Sequence, residues 1–228
     1  MTLAILPVKK ISERVPNKNF RSVGDYHYGI FEIKLRQLLS CDFITDIMIT
    51  TDSNDVNAIA FSLCTKHNLE GIKRVHHHLR PEKYSGSCPN HEWVAYLSTQ
   101  INHIDVEDVI LCFATSPFFD SQQFESFYHY YKNSEFDSLA VASKIQTYLW
   151  KEGKPFNYNS GWPLTQTLEP VYQINSTAFI CSKKDFIETQ DRLPGKVGFF
   201  ESNLFNSCIN IDTEKDFENF LQLWNLLN

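Results

Sequence analysis

Glycine is scarce in this chain of 228 residues, which has 8 copies, and this scarcity argues against low-complexity linkers. No stretch approaches the roughly 18 consecutive apolar residues of a membrane span, so we expect no membrane association. The apolar residues 1–7 are too short for a signal peptide. The six cysteines stand singly, without a C-x-x-C pair, which is typical of reduced thiols and predicts a cytoplasmic protein.

Positive charge is also in deficit: 21 Lys and Arg face 27 Asp and Glu, which gives a net charge of −6. This balance argues against nucleic-acid binding. Aromatic residues are plentiful, with 18 Phe and 10 Tyr, so the chain can build a large core. The length predicts a single domain over residues 1–228.

Against this acidic background, four cations lie within ten residues directly after a predicted first strand: Lys9, Lys10, Arg14 and Lys18. Such crowded cations repel one another unless an anion lies among them, and a phosphate chain meets that need. The alternative is a solvated basic loop without a ligand. Pro16 and the preceding strand favour a loop with a fixed shape.

Strand-like and helix-like segments alternate along the chain, as judged from the spacing of apolar residues. The predicted strands are residues 2–7, 46–51, 71–76, 108–114, 137–143, 177–182 and 197–201, and the predicted helices are residues 30–40, 54–67, 91–101, 121–132, 183–188 and 213–227. This alternation predicts a three-layer α/β fold, with a mostly parallel sheet covered by helices on both faces. Ligands of such sheets bind beyond the carboxyl ends of the strands, where the basic loop, Asp52 and the pair Thr115-Ser116 would lie.

The alternation breaks between residues 144 and 175, which contain three prolines and two tryptophans. The segment is too apolar for a disordered linker and shows little periodicity. We therefore expect an extended arm or hairpin that packs on a partner subunit of a homodimer. A long ordered loop on the same subunit is the alternative.

Six short motifs follow one another along the chain: residues 7–19, Thr51-Asp52-Ser53, Arg80-Pro81, residues 111–118, the set Gln166, Leu168, Tyr172 and Asn175, and Ile211-Asp212-Thr213 with Asp216-Phe217. In this order they resemble the acylneuraminate cytidylyltransferase family over nearly the whole chain. The resemblance implies a nucleotide-diphospho-sugar transferase-like fold. It also implies an enzyme that transfers CMP from CTP to an acidic sugar, releases pyrophosphate, requires Mg²⁺ and serves surface polysaccharide biosynthesis.

The resemblance assigns nucleotide contacts to five residues. Lys9, Arg14 and Lys18 would contact the β- and γ-phosphates, and Lys9, Lys18 and Asp212 would form the catalytic set. Asn19 would bind the nucleotide through its side-chain amide. Arg80 would bind the pyrimidine or its ribose, and the alternative for Arg80 is a surface salt bridge with Glu82.

The resemblance places the acceptor against a second group of residues: Thr115, Ser116, Gln166, Tyr172 and Asn175. The pair Thr115-Ser116 lies at the end of a predicted strand, where both hydroxyls could bond the acceptor. With Pro117 it also fits an ordinary strand-to-helix turn, which is the alternative.

Asp212 is the candidate Mg²⁺ ligand, because this ion prefers oxygen and needs few protein carboxylates when phosphates are present. Asn210 would add an amide oxygen. The alternative is that Asp212 caps the final helix. Asp52 is a weaker second candidate, and capping the helix that follows is its expected role. The histidines at 76–78 are not expected to bind one ion, because consecutive strand residues point to opposite faces.

The chain departs from the family pattern at several positions: Lys9 stands for Arg, Lys10-Ile11 for Gly-Gly, Glu13 for Lys, Phe113 for Gln, Thr165 for Arg and Asn210 for Asp. Lysine retains the charge of arginine but loses its bidentate geometry, and we expect Glu13 to pair with Lys10 or Arg14. Two alternatives therefore stay open. One is a cytidylyltransferase acting on a different phosphorylated small molecule, and the other is a degenerate nucleotide-binding relative without turnover. The central prediction is that Lys18 and Asp212 converge on one triphosphate.

Overall fold

A computed structural model describes residues 1–66, 74–85, 88–159, 161–202 and 209–227. The strands are β1 (Thr2–Val8), β2 (Ile44–Thr51), β3 (Arg74–Leu79), β4 (Asp108–Cys112), β5 (Ser138–Ile145), β6 (Trp150–Lys151), β7 (Lys154–Pro155), β8 (Val171–Ser182) and β9 (Val197–Glu201). The helices are α1 (Gly29–Leu39), α2 (Asn54–Lys66), α3 (Asn90–Gln100), α4 (Ser121–Lys132), α5 (Lys183–Thr189) and α6 (Glu214–Leu227), with single 3₁₀ turns at Glu82–Tyr84 and Thr165–Thr167.

Seven of these strands form one sheet in the order β3-β2-β1-β4-β8-β5-β9. The pairs β3-β2, β2-β1, β1-β4 and β5-β9 are parallel, whereas β8 runs antiparallel to both of its neighbours. The other six strands therefore end at one side of the sheet, together with the amino end of β8. We call this side the carboxyl edge. The predicted α/β class, with a mostly parallel sheet, is confirmed.

Helices cover both faces of the sheet, which explains why β1 is apolar from Leu3 to Val8. Leu6 and its alternate neighbours face a core shared with α1, α2, α4 and α6. Leu3 and Ile5 face a second core shared with α3 and α5. Because successive strand residues point to opposite faces, a strand buried on both sides must be apolar at every position. The result is the predicted three-layer architecture.

Local signals position several helix ends as expected. Asp120 and Gln123 form a reciprocal capping box at the start of α4, and this helix has the predicted bounds. Ser53 caps α2, because its hydroxyl accepts a hydrogen bond from the Asp55 backbone N–H at 3.2 Å. Ser182 caps α5 in the same way.

Some predicted bounds are wrong, because pairing with a neighbouring strand decides them. The predicted strand 177–182 begins earlier, at Val171, since the residues before Thr177 pair with β5 as far as Ile145. The predicted strand 71–76 lies at Arg74–Leu79, where it pairs with β2; residues 71–73 lie outside the described residues. The end of the expected arm therefore belongs to the main sheet.

The rest of residues 144–175 contains the short hairpin β6-β7. Its turn is formed by Glu152 and Gly153, both with positive φ, as a tight two-residue hairpin requires. Asn157 fixes the base of the hairpin, because its side chain accepts from the Leu149 N–H and donates to the Thr147 carbonyl at 3.0 and 2.8 Å. A hairpin is thus observed, and its packing on a partner subunit stays a prediction. None of the described helices is long and apolar enough to cross a membrane.

Candidate functional site

The loop after β1 has a fixed shape because its own side chains fasten it. The Asn19 amide donates to the Lys9 carbonyl at 2.9 Å, and the Asn19 carbonyl accepts from the Phe31 N–H at the start of α1. Asn17 adopts the left-handed conformation, with φ of 55°, which asparagine tolerates better than most residues. These bonds use the Asn19 amide nitrogen inside the loop, so Asn19 shapes the loop.

Lys18 and Asp212 lie next to each other, although they are far apart in the sequence. Lys18 also contacts Ile211, which is 193 positions further along the chain. The Lys18 side chain is 10% exposed, and its Nζ donates to the Ile211 carbonyl at 2.6 Å. The same Nζ lies 3.9 Å from Asp212 Oδ1, and Arg14 Nη2 donates to that oxygen at 2.7 Å. The loop after β1 and the segment before α6 therefore converge at the carboxyl edge.

A cavity of about 270 Å³ opens beside this convergence and is lined by the basic loop: Lys9, Ser12, Glu13, Arg14, Val15 and Lys18. Three of these side chains are cations and one is an acid. The acid Glu13 lies 3.8 Å from the Lys9 ammonium, whereas Lys10 pairs with Asp55 and Arg14 with Asp212. The predicted pairing of Glu13 with Lys10 or Arg14 is therefore wrong.

The electrostatics of this cavity favour an anion. Burial lowers the pKa of Lys18, and Asp212 opposes this effect while Arg14 adds to it. A lowered lysine pKa means that the protein stabilises the ammonium less well than water does. A phosphate bound beside Lys18 and Arg14 would supply the missing negative charge.

Arg80 lies at the carboxyl end of β3 with only 7% of its surface exposed. Its Nη2 donates to the Val8 carbonyl at 3.4 Å, and burial lowers its pKa against the opposing charge of Asp52. The buried Nε–H has no partner among the described residues. The alternative of a surface salt bridge with Glu82 is therefore wrong, and the guanidinium has donors to spare for a ligand.

Neither Asp52 nor Asp212 caps a helix with its side chain. Asp52 Oδ1 accepts from the Lys10 backbone N–H at 2.8 Å, so it fastens the basic loop, and its expected role as the cap of α2 is wrong. Thr213 and Asp216 form the reciprocal cap of α6, because Asp216 accepts from the Thr213 N–H and Thr213 Oγ1 from the Asp216 N–H. The Asp212 carboxylate is therefore directed at the basic loop.

Asn210 and Asp212 supply oxygen donors that suit a magnesium ion. The Asn210 amide nitrogen donates to Asp212 Oδ2 at 2.8 Å, while its buried Oδ1 has no partner in the described part of the chain. Turning the amide by half a rotation would place two oxygens side by side. No group of three His, Cys, Asp or Glu side chains is placed to bind a metal among the described residues, so substrate phosphates would have to complete the coordination.

The predicted acceptor residues of β4 have different environments. The Thr115 carbonyl accepts from the Ile211 N–H at 2.8 Å, which brings the end of β4 next to Asp212. Ser116 is fully buried, and its hydroxyl accepts from Thr177 Oγ1 at 3.1 Å. The hydroxyl of Ser116 thus belongs to the interior, in a strand-to-helix turn.

The predicted acceptor residues of β8 lie at its amino end and therefore also at the carboxyl edge. The Tyr172 hydroxyl donates to Glu201 at 3.1 Å, and the Asn175 amide donates to Ser143 Oγ at 2.9 Å. These two partners, which lie on strands β9 and β5, are not predictable from the sequence alone. Gln166 is exposed in the 3₁₀ turn of the arm, where its carbonyl accepts from the Gln146 side chain.

The three consecutive histidines alternate between the two faces of β3. His76 Nε2 lies 2.8 Å from buried Asp46, and His78 bridges Thr50 Oγ1 and the Tyr96 hydroxyl at 2.9 Å each. Each of these contacts is a separate structural interaction.

The sheet order, the loop after β1 and the site beyond the strand ends together define a nucleotide-diphospho-sugar transferase-like α/β fold. Solved structures share it over almost their full length. One is 4-diphosphocytidyl-2C-methyl-D-erythritol synthase from Anaerococcus prevotii, with 16% identity, a TM-score of 0.65 and coverage of 97% of this chain and 98% of that chain.

Two further structures have the same fold. CMP:2-keto-3-deoxy-manno-octonic acid synthetase complexed with CTP shows 10% identity, a TM-score of 0.64 and coverage of 100% and 99%. A cytidylyltransferase from Leptospira borgpetersenii shows 12% identity, a TM-score of 0.59 and coverage of 99% and 87%. No protein-family model matches the sequence, and no curated protein does. At these identities the likeness shows the shared fold.

Proposed function

We propose that this protein is a CTP-dependent, Mg²⁺-dependent cytidylyltransferase that transfers CMP to an acidic sugar and releases pyrophosphate. It would act in the cytoplasm, in surface polysaccharide biosynthesis. The observation that carries the proposal is that Arg14 and Lys18 line one cavity of the carboxyl edge and that Asp212 contacts both of them. The structures of similar fold support it, because those described above are named as cytidylyltransferases or as synthetases of cytidylyl compounds.

In this reaction an acceptor oxygen attacks the α-phosphorus of CTP, the bond to the β-phosphate oxygen breaks, and pyrophosphate leaves. The protein must orient the acceptor and stabilise the charge on the leaving group. Lys9, Arg14 and Lys18 line the cavity that would receive the β- and γ-phosphates. Direct attack needs no covalent enzyme intermediate.

Arg80 would contact the nucleoside, because among the described residues its terminal nitrogens make a single hydrogen bond, from Nη2 to the Val8 carbonyl, which leaves further N–H donors. Asn19 would bind the nucleotide through its side-chain amide, whose nitrogen also donates one hydrogen bond to the Lys9 carbonyl and retains a second N–H. Asp212 and Asn210 would hold Mg²⁺, which when bound neutralises phosphate charge. Arg14 and Asn210 each donate a hydrogen bond to one of the Asp212 carboxylate oxygens.

The proposal includes a homodimer formed through the arm of residues 144–175. Five large apolar side chains of the arm are exposed, namely Trp150, Phe156, Trp162, Leu164 and Ile174, and exposed apolar surface of this kind favours association. Light scattering at micromolar concentration should give twice the mass of the chain. A monomer would contradict this part of the proposal.

A different phosphorylated acceptor is the second candidate. Phe113 and Thr165 make the acceptor side less polar than in the family that the sequence resembles. A sugar phosphate or a polyol phosphate would then take the place of the sugar acid.

The test is pyrophosphate release from CTP and Mg²⁺ in the presence of a panel of 2-keto sugar acids, sugar phosphates and polyol phosphates. We expect release with at least one sugar acid and none without Mg²⁺. Release with phosphates alone would select the second candidate. CTP binding without any release would indicate a degenerate relative, and absence of CTP binding would contradict both enzymatic proposals.

A further inference from the structure

A second cavity, of about 350 Å³, lies on the face of the sheet that α3 and α5 cover. Its lining comprises Asn90, His91 and Val94 in the first turns of α3, and residues 189–192 at and after the end of α5, which include the acid Asp191 as well as Arg192. Because α3 leads into β4 and α5 runs back along β8, both segments reach the carboxyl edge. The volume falls within the roughly 300–1,000 Å³ of small-molecule pockets.

Arg192 is the cation of this cavity. Its guanidinium stacks on the Phe179 ring, 4.5 Å from the centroid, and the side chain is half-buried. Burial lowers its pKa, and the neighbouring Asp191 opposes that effect. Within the described ranges no hydrogen-bond acceptor reaches the guanidinium, so its donors face the cavity. Stacking holds the planar group in one orientation, which suits bidentate binding of a carboxylate or phosphate.

A row of aromatic rings connects Arg192 to the acceptor side of the proposed active site. Phe179 contacts Phe113 edge-on with centroids 6.5 Å apart, and Phe113 lies 6.3 Å from Trp93. Phe113 directly follows β4, two positions before Thr115, whose carbonyl binds the segment that carries Asp212.

The acceptor residues predicted from the sequence do not themselves supply a cation. Thr115, Tyr172 and Asn175 are neutral, and the charged partner of Tyr172 is the acid Glu201. An anionic acceptor therefore needs positive charge from another element. Lys144 on β5 is exposed, whereas Arg192 is half-buried and oriented by stacking.

We infer that Arg192 binds the anionic group of the acceptor, with the body of the acceptor lying across Phe113. This inference rests on the proposed cytidylyltransferase function. Its ligand class is a monosaccharide-sized acid, and the shared chemistry is a planar or tetrahedral group of anionic oxygens. A sugar carboxylate and a polyol phosphate both have that chemistry, so the experiment separates them.

The test is calorimetric binding to the full chain of three probes: N-acetylneuraminate, its neutral methyl ester, and ribitol 5-phosphate. We expect one of the two anions to bind and the ester to bind at least about tenfold more weakly. Arg192→Gln should weaken that anion at least about tenfold, and Arg192→Lys should fall between Gln and wild type because it retains only the charge. Lys144→Gln, the matched control, should bind like wild type.

CTP binding is measured on the same variants and reports the proposed function separately. Each Arg192 variant should bind CTP within about twofold of wild type, which also shows that it is folded. Equal anion binding by wild type and Arg192→Gln would overturn the inference, as would binding of neither anion by wild type, even with CTP binding intact. Loss of CTP binding in the wild type would instead contradict the proposed function.

Discussion

The two halves of the carboxyl edge differ in how their polar side chains are used. At the ends of β1 and β3, Lys18 and Arg80 are buried cations whose pKa values are lowered by burial. At the ends of β8 and β5, Tyr172 and Asn175 donate to neighbouring side chains of the same chain. A bound anion would therefore stabilise the buried cations of the first half. The polar side chains of the second half already have hydrogen-bond partners within the chain. This difference shows that the half proposed to bind the nucleotide can be predicted from local charge, whereas the contacts in the half proposed to bind the acceptor depend on long-range pairing.

The largest expected effect concerns the nucleotide half. Lys18→Ala should lower turnover at least about tenfold, because it removes a charge that stabilises the leaving pyrophosphate. Lys144→Ala, which removes an exposed lysine at the same edge, should leave turnover unchanged. The measurement is pyrophosphate release with whichever acceptor supports it. Equal losses in both variants would erase the distinction between the two halves.

A smaller effect is expected at the end of β3. Arg80→Gln should weaken CTP binding about tenfold, because hydrogen bonds from a charged group typically contribute roughly 1.5–3 kcal/mol. The matched control is Arg74→Gln at the other end of the same strand, where Arg74 pairs with Asp46 at 2.9 Å. Calorimetry with CTP should show normal affinity for that control. If only the Arg74→Gln control bound CTP more weakly, the nucleotide would lie at the opposite edge of the sheet, which would contradict the proposed site.

The acceptor half should respond to mutation mainly through stability. Thr177→Val removes the hydroxyl that donates to Ser116 Oγ inside the protein. We expect the free energy of unfolding to fall by about 1 kcal/mol, with CTP affinity unchanged. Urea denaturation and CTP calorimetry on the same samples test this. A large loss of CTP affinity with unchanged stability would show that Ser116 and Thr177 serve the nucleotide.

The smallest expected effect is the pH dependence of stability that arises from Lys34, a second buried lysine besides Lys18. Lys34 is fully buried between α1 and α4, its Nζ donates to the Phe119 carbonyl at 2.6 Å, and burial lowers its pKa to about 8. Above pH 8 the unfolded chain still binds this proton and the native state does not, so stability rises with pH. Cys112, with its pKa raised to about 12, acts in the opposite direction above pH 9.

The useful window is therefore pH 8 to 9, where the gain from Lys34 should approach about 1 kcal/mol. Lys34→Met should remove this gain while retaining the bulk of the side chain. The measurement is the free energy of unfolding in urea at several pH values. Identical pH slopes for wild type and Lys34→Met would contradict the assignment.

Regular elements were predictable where the signal is local. The apolar spacing and the Asp120–Gln123 cap give α4 its bounds, and the apolar β9 likewise has the predicted bounds Val197–Glu201. The start of β8 was missed because residues 171–176 are largely exposed and lack a regular pattern, so pairing with β5 alone makes them a strand. Such pairing is not visible in a single segment.

The site shows the same division. The basic loop and Asp212 were found from charge and order in the chain, and the structure brings them together. The partners of individual side chains were not predictable. Glu13, Asp52 and Asp212 each have several possible partners or roles, and the sequence does not distinguish among them. Asp52 accepts a hydrogen bond from the Lys10 backbone N–H, and Ser53 caps the helix instead. Arg192 was missed for a related reason: only the fold places it over Phe179.

The most direct test of the central claim is a double-mutant cycle on CTP affinity in the presence of Mg²⁺. It uses wild type, Lys18→Ala, Asp212→Ala and the double variant, with calorimetry as the measurement. If both residues act on one triphosphate, each single change should weaken CTP binding and the double change should cost less than the sum of the two. Wild-type affinity in both single variants, or strictly additive losses, would contradict the claim.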